Sequence, residues 1–195
     1  MLSACGNKQK EKKEVKPMVG CFYTYNSAAT TLEWTAFKFT EKKGVTGTFN
    51  EIIIEVPETS DDPLALLSAL KFKLPTGSVE TQNEQRNGKI ASIFFKTIAT
   101  DTIYGKVTNL NVKNGSALID IQMNGINRSV KGVYTLKNGA FDFKSSIDVL
   151  DWNGASAISA LNTACKELHT GSDGKSKLWT TVDLSFKTQL KSDRE

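Results

Sequence analysis

The sequence predicts an all-β domain, an eight-stranded antiparallel up-and-down barrel with one or two short helices. Three observations lead there. Several segments alternate apolar and polar residues with a period of two, the pattern of strands with one covered face. Asn-Gly pairs at Asn114-Gly115, Asn124-Gly125 and Asn138-Gly139 punctuate them, and both residue types readily take the positive φ of a type I′ hairpin turn. Only two helical patches interrupt the pattern, too little to cover an open sheet. Closure into a barrel removes the unpaired edges that such a sheet would expose.

Residues 31–40 place Leu32, Trp34 and Ala36 on one face of a strand and Glu33, Thr35, Phe37 and Phe39 on the other. Residues 45–56 alternate through Val45, Gly47 and Phe49, then run Ile52-Ile53-Ile54, which predicts a bulge or a strand covered on both faces. Ala117, Ile119, Ile121 and Met123 share a face. Val130, Gly132, Tyr134 and Leu136 follow, then Phe141, Phe143, Ser145 and Ile147. With the Asn-Gly turns between them, residues 103–149 form a meander. Residues 178–186 close the series, with Trp179 on the polar side. Residues 61–70 begin Asp-Asp-Pro and carry Leu64, Leu66, Leu67 and Leu70, a helix with proline in its first turn. Residues 155–169 repeat Ile158, Leu161, Cys165 and Leu168 at helical spacing and stop at Thr170-Gly171.

A chain of 195 residues suits one domain. Its formal charge of +4 is mostly local: Lys8, Lys10, Lys12, Lys13 and Lys16 outweigh Glu11 and Glu14 at the start, leaving about +1 for the rest. A nucleic-acid binder would carry a basic patch on its folded part, and none is evident, so nucleic acid is not an expected partner. We divide the chain into a tether, residues 1–17, and a barrel domain, residues 18–195. Within the tether, Leu2-Ser3-Ala4-Cys5 has the form of a bacterial lipobox, and the Lys/Glu/Gln-rich run after it has almost nothing to bury. Cys5 is the expected lipidation site. Only Met1 and Leu2 precede Ser3, so the apolar run of a secretory signal is expected upstream of the given start. The expected location is outside the cytoplasm, in the periplasm or on the outer membrane. No apolar run reaches the length of a transmembrane helix, so membrane attachment rests on Cys5. In an exported chain the remaining pair, Cys21 and Cys165, are candidates for a disulfide tying the start to the late helix; two buried thiols are the alternative.

Catalytic chemistry is poorly represented. His169 is the only histidine and ends a helix, where a cation meets the helix dipole favourably. One histidine and widely spaced cysteines make no metal site. Cys165 and His169 are an i, i+4 pair, but the cysteine falls on the apolar face. Asp61 with Asp62, and Asp148 with Asp151, sit at element boundaries, where carboxylates cap helices and form turns. The chain is expected not to be an enzyme and to need no cofactor.

Residues 78–95, SVETQNEQRNGKIASIFF, are unusual. A polar half ends on Ile90, Ile93, Phe94 and Phe95, and adjacent phenylalanines cannot both face one side of a strand. A helical turn or irregular crossover over one end of the sheet fits better.

Three stretches resemble the YceI-like family of exported lipid-binding proteins. Tyr23-Thr24-Tyr25-Asn26-Ser27-Ala28-Ala29-Thr30-Thr31-Leu32-Glu33-Trp34 resembles its opening Y-T-I-D-x-x-H-S-x-V-x-W/F. Val79-Glu80-Thr81, Asn83-Glu84-Gln85-Arg86 and Ala91-Ser92-Ile93-Phe94-Phe95 resemble V-D-T-x-N-x-x-R-D-x-H-L-x-S-x-x-F-F. Met123-Asn124-Gly125-Ile126-Asn127-Arg128-Ser129-Val130 is similar to its L-x-G-V-T-K-x-V hairpin. The resemblance spans roughly residues 23–190. It implies a lipocalin-like barrel, closed at one end, that holds a polyisoprenoid or similar amphiphile without catalysis. Two family histidines fall at Ala29 and Lys89 here, which removes any headgroup contact they make.

The expected function is binding or carriage of a long-chain amphiphile: a polyisoprenoid, an isoprenoid quinone or a fatty-acid-like lipid. Trp34, Phe49, Ile54, Phe94, Phe95, Ile121, Met123, Tyr134, Phe143 and Phe186 are the expected lining, and Arg86 and Lys89 the charges at the mouth. The competing expectation is an exported interaction module whose barrel is filled by its own side chains. Small residues such as Gly47 and Gly132 on inward faces would leave room for a ligand. A homodimer is compatible with the sequence.

Overall fold

The computed structural model describes residues 21–193. Its strands are β1 (Tyr23–Thr24), β2 (Thr31–Lys38), β3 (Lys43–Phe49), β4 (Ile53–Glu55), β5 (Lys71–Pro75), β6 (Val79–Glu80), β7 (Thr102–Asn111), β8 (Ser116–Met123), β9 (Ile126–Lys137), β10 (Ala140–Asp148), β11 (Leu178–Gln189) and β12 (Lys191–Ser192). β1 and β12 pair by themselves. The other ten form one curled antiparallel sheet, a half-barrel in the order β4-β5-β7-β8-β9-β10-β11-β2-β3-β6.

Ten strands replace the eight expected, because the 45–56 run is broken and residues 71–80, not read as strand, supply two short ones. β3 stops at Phe49 and the chain resumes as β4 at Ile53; β5 stops at Pro75 and resumes as β6 at Val79 after the 3₁₀ turn Thr76–Ser78. The breaks face each other, joined where the Asn50 N–H donates to the Ser78 carbonyl at 2.8 Å. Ser78 Oγ also donates to the Pro75 carbonyl at 2.7 Å, turning the chain where proline lacks a ladder donor. β4 pairs with β5, and β3 with β6, so the outer strands of the curled sheet are linked through neighbouring segments of chain.

The meander is as read: β7, β8, β9 and β10 are successive neighbours. Asn124-Gly125 and Asn138-Gly139 are two-residue turns with positive φ at both positions. Asn114-Gly115 differs. Residues 112–115 make a longer connection there, with only Gly115 at positive φ and its N–H bonded to the Asn111 carbonyl.

Helix α1 (Pro63–Ser68) starts at Asp62, whose carboxylate accepts from the Leu64 N–H at 2.8 Å. Its Leu66 and Leu67 are fully buried against Phe141, Phe143, Tyr134 and Leu190, and close one end of the sheet. The other end is crossed by α2 (Glu84–Lys89), which runs directly into a π-helical stretch, Ile90–Phe95. The late helix is two pieces, α3 (Ala155–Ala164) and α4 (Lys166–His169), because Cys165 leaves helical geometry at φ −120°, ψ 25°.

The expected Cys21–Cys165 disulfide is absent; both thiols are free. Cys21 Sγ lies 3.1 Å from Ser192 Oγ, beside the β1–β12 pair that follows the end of β11. Cys165 is buried by α4 near Leu178, where β11 begins. The twelve-residue strand between them spans on the order of 40 Å, against the 7 Å or less a disulfide allows between Cα atoms. Cys5, the whole 1–17 tether and its boundary at residue 18 lie outside the described residues.

A candidate ligand cavity and its cationic vestibule

The side chain of Asn87 fixes the crossover. Its Oδ1 accepts from the Thr81 N–H at 2.9 Å and the Thr81 hydroxyl at 2.6 Å, and its Nδ2 donates to Glu80 at 3.0 Å. Asn83 caps the helix by accepting from the Arg86 N–H at 2.9 Å. The start of α2 is thereby bound to β6. Beyond it the helix widens, a form found mostly as single turns and frequently at functional sites. Wider turns separate consecutive side chains by a smaller angle, so Phe94 and Phe95 both point into the half-barrel. Their rings meet edge to face at 5.2 Å, and Phe95 also meets Phe49 at 6.3 Å.

Beneath this cap lies a cavity of about 180 Å³ whose lining residues are all apolar or aromatic. A second, of about 70 Å³, continues toward α1. The two share Leu32, Phe72, Leu74, Ile121 and Leu184, which form a collar between them. Trp34, Phe49, Phe94, Phe95 and Met123 line the first cavity, Ile54, Phe143 and Phe186 the second, and Ile121 both. Tyr134 lines neither. It packs against Phe141 at 5.5 Å in the closed end.

Three rings lie along the wall over glycines. A Cβ at Gly47 would collide with the Trp34 indole, one at Gly105 with Phe72, and one at Gly132 with Phe143. The room expected at Gly47 and Gly132 is therefore occupied by neighbouring rings.

Two parts of the lining were not read as such. Ile158 and Leu161 of α3 line the cavity, although their helical spacing was legible only as an apolar face. Trp179 was assigned to the polar side of its strand. An irregularity in β11 between Leu178 and Val182 breaks the alternation, and Leu178, Trp179 and Val182 all reach the cavity. The Trp179 N–H donates to the Phe39 carbonyl at 2.8 Å, and Lys177 Nζ stands 3.6 Å from its ring centroid.

Next to the main cavity is a vestibule of about 310 Å³. It shares Trp34, Ala36, Ile90, Leu161 and Leu178 with the cavity, and its polar wall includes Lys38, Arg86, Lys89 and His169. Burial, then the charges of Arg86 and Lys43, hold the Lys38 ammonium below the usual lysine range. Burial, then Lys38 and Lys89, lower His169 below its ordinary value. His169 ends α4, and its Nδ1 sits 3.0 Å from Asn162 Oδ1.

One carboxylate of each expected pair serves structure. Asp62 caps α1, and Asp148 accepts from the Leu150 N–H at 3.0 Å and the Thr180 hydroxyl at 3.1 Å. Among the described residues, no group of three or more His, Cys, Asp or Glu could hold a metal, and no helix is long and apolar enough to cross a membrane.

Sequence comparison places this architecture in a family. The profile of the YceI-like domain matches residues 23–190. The chain belongs to the YceI-like family. Among solved structures it is similar to a polyisoprenoid-binding domain from Saccharophagus degradans implicated in plant cell wall breakdown, with a TM-score of 0.58 at 14% identity over 87% of this chain and 98% of that one. Burkholderia cenocepacia BcnA matches with a TM-score of 0.56 at 11% identity, over 85% and 98%. A Campylobacter jejuni YceI protein matches at 0.54 and 16% identity, over 81% and 90%. At these identities the likeness shows the YceI-like fold. No curated protein matches the chain.

Proposed function

We propose that this chain is a non-catalytic binder or carrier of a long-chain amphiphile, with the hydrocarbon tail in the half-barrel. The observation that carries this reading is the main cavity, lined entirely by apolar and aromatic side chains and continued past a collar into a second, mostly apolar cavity. An apolar cavity of roughly 150 Å³ stays dry and takes a benzene-sized guest. At about 180 Å³ the main cavity has room for the first segment of a branched or straight chain. Rotation of Phe72 would carry the tail into the second cavity. Each buried CH₂ contributes about 0.8 kcal/mol, so tail burial alone supports tight binding. Polyisoprenoids, isoprenoid quinones and fatty-acid-like lipids all meet this requirement, and the relative from Saccharophagus degradans is described as polyisoprenoid-binding. The lipobox-like segment at Cys5 supports an exported, lipid-anchored protein that would work at a membrane surface.

Native mass spectrometry of the protein purified from its own host tests this reading. The expected result is a mass excess that organic extraction removes and that added long-chain lipid restores. The bare polypeptide mass throughout, with no uptake of added lipid, overturns it.

A further inference from the structure

We infer that the vestibule is an anion site, and that the amphiphile carries an acidic headgroup, a phosphate or carboxylate, held by Lys38, Arg86 and Lys89. This rests on the chain-binding reading for the tail and goes beyond it for the head.

The wall of the vestibule has charge of one sign. Its charged residues are Lys38, Arg86 and Lys89, with His169 beside them, and no Asp or Glu lines it. Glu84 on α2 and Glu167 on α4 belong to the same helices but stay outside the lining. The cations converge from two elements, Lys38 from the end of β2 and Arg86 and Lys89 from α2, and the imidazole of His169 joins them from the end of α4. A solvated basic face of a single helix would not produce that convergence.

These cations are poorly compensated. The ion pairs among the described residues are Lys73–Glu55, Lys106–Asp120 and Lys187–Asp142, none of them in the vestibule. Lys38 Nζ donates to the Leu168 carbonyl at 2.9 Å and lies 4.5 Å from the Phe39 ring centroid, with no carboxylate among the described residues in an ion pair with it. The guanidinium of Arg86 presents a planar fork suited to phosphate or carboxylate oxygens. Burial first, then neighbouring positive charge, lowers the proton affinities of Lys38 and His169, in keeping with repulsion among Lys38, Arg86 and Lys89 in a partly desolvated space. An anion relieves that repulsion; a neutral head leaves it, and a quaternary ammonium adds to it. Position completes the argument. Trp34, Ala36, Ile90, Leu161 and Leu178 border both spaces, so a tail in the cavity delivers its head to these charges.

The test compares two probes of equal chain, geranylgeraniol and geranylgeranyl monophosphate, titrated into the whole delipidated chain. The phosphate is expected to bind at least about tenfold more tightly, with the ratio shrinking as salt rises. In the R86E/K89E variant the ratio falls to about one, while far-ultraviolet circular dichroism and melting temperature report its fold. The milder R86Q/K89Q variant lowers the ratio less and guards against misfolding. Equal affinity for both probes overturns the acidic headgroup and leaves the chain-binding reading standing. Failure of both probes to bind overturns both. Displacement of the lipid phosphate by millimolar inorganic phosphate reassigns the vestibule to free phosphate and likewise overturns the proposal.

Discussion

Gly47 stands opposite Trp34 across the β2–β3 ladder, and the indole fills the space where a side chain at Gly47 would be. The indole N–H donates to the Thr48 carbonyl at 3.3 Å, which holds the ring along the wall. Phe72 over Gly105, its cross-strand partner, repeats the arrangement. Glycine weakens a strand locally, and here it makes room for the ring of its cross-strand neighbour.

Gly47→Ala is therefore expected to do more than a methyl group usually does. The new Cβ meets the indole and also the Glu80 carbonyl at 2.8 Å, and backbone cannot move as a side-chain tip can. The indole must swing into the cavity. Stability is expected to fall by about 1–3 kcal/mol in urea unfolding, and uptake of long-chain lipid to fall with it. Adding Trp34→Leu should recover part of the stability. If Gly47→Ala keeps wild-type lipid capacity, the wall-lying ring does not shape the cavity.

Phe72 is the largest member of the collar between the two cavities. Phe72→Leu removes ring volume there at a cost on the order of 1–3 kcal/mol, less than truncation to alanine. The joined cavity should accept longer tails. Native mass spectrometry with a mixture of prenyl chain lengths is expected to show the bound distribution moving toward longer chains. An unchanged distribution would mean that Phe72 does not limit chain length.

Much of this was legible in the sequence because a period of two is a local property. The inward placement of Trp34, Phe49, Ile121, Met123 and Phe143 follows from alternation alone. Phe94 and Phe95 signalled a helical crossover because no strand can turn two neighbours inward. Features that depend on distant partners were not legible. The strand breaks at 50–52 and 76–78 exist as a facing pair, and neither run shows its partner. Trp179 turns inward through an irregularity that alternation assumes absent. The charges of the vestibule come from β2, α2 and α4, so only Arg86 and Lys89, close together on one helix, were recognised as mouth residues. The disulfide was inferred from cysteine count, which carries no distance.

Because Cys21 and Cys165 lie at opposite ends of β11, their chemistry should be independent. Both are expected to alkylate under non-reducing conditions, Cys21 quickly and Cys165, at 7% exposure, only as the chain opens. Peptide mapping after timed alkylation reads both rates. A Cys21–Cys165 linked peptide from native protein would contradict the fold described above.

The lone histidine reports on the vestibule. Burial, then Lys38 and Lys89, hold the folded-state value of His169 below its ordinary 6.5, so the folded chain favours neutral imidazole. Between the two values the unfolded chain binds more protons, and stability rises with pH. This contribution is complete above pH 6.5 and is lost as pH falls through the folded-state value. His169→Gln should flatten that part of the stability profile. With one histidine, its ring resonances titrate without overlap. Geranylgeranyl monophosphate should raise the midpoint by offsetting Lys38 and Lys89, whereas geranylgeraniol, which brings only further burial, should leave it unchanged or lower it. If the phosphate binds and the midpoint does not rise, its head lies away from His169.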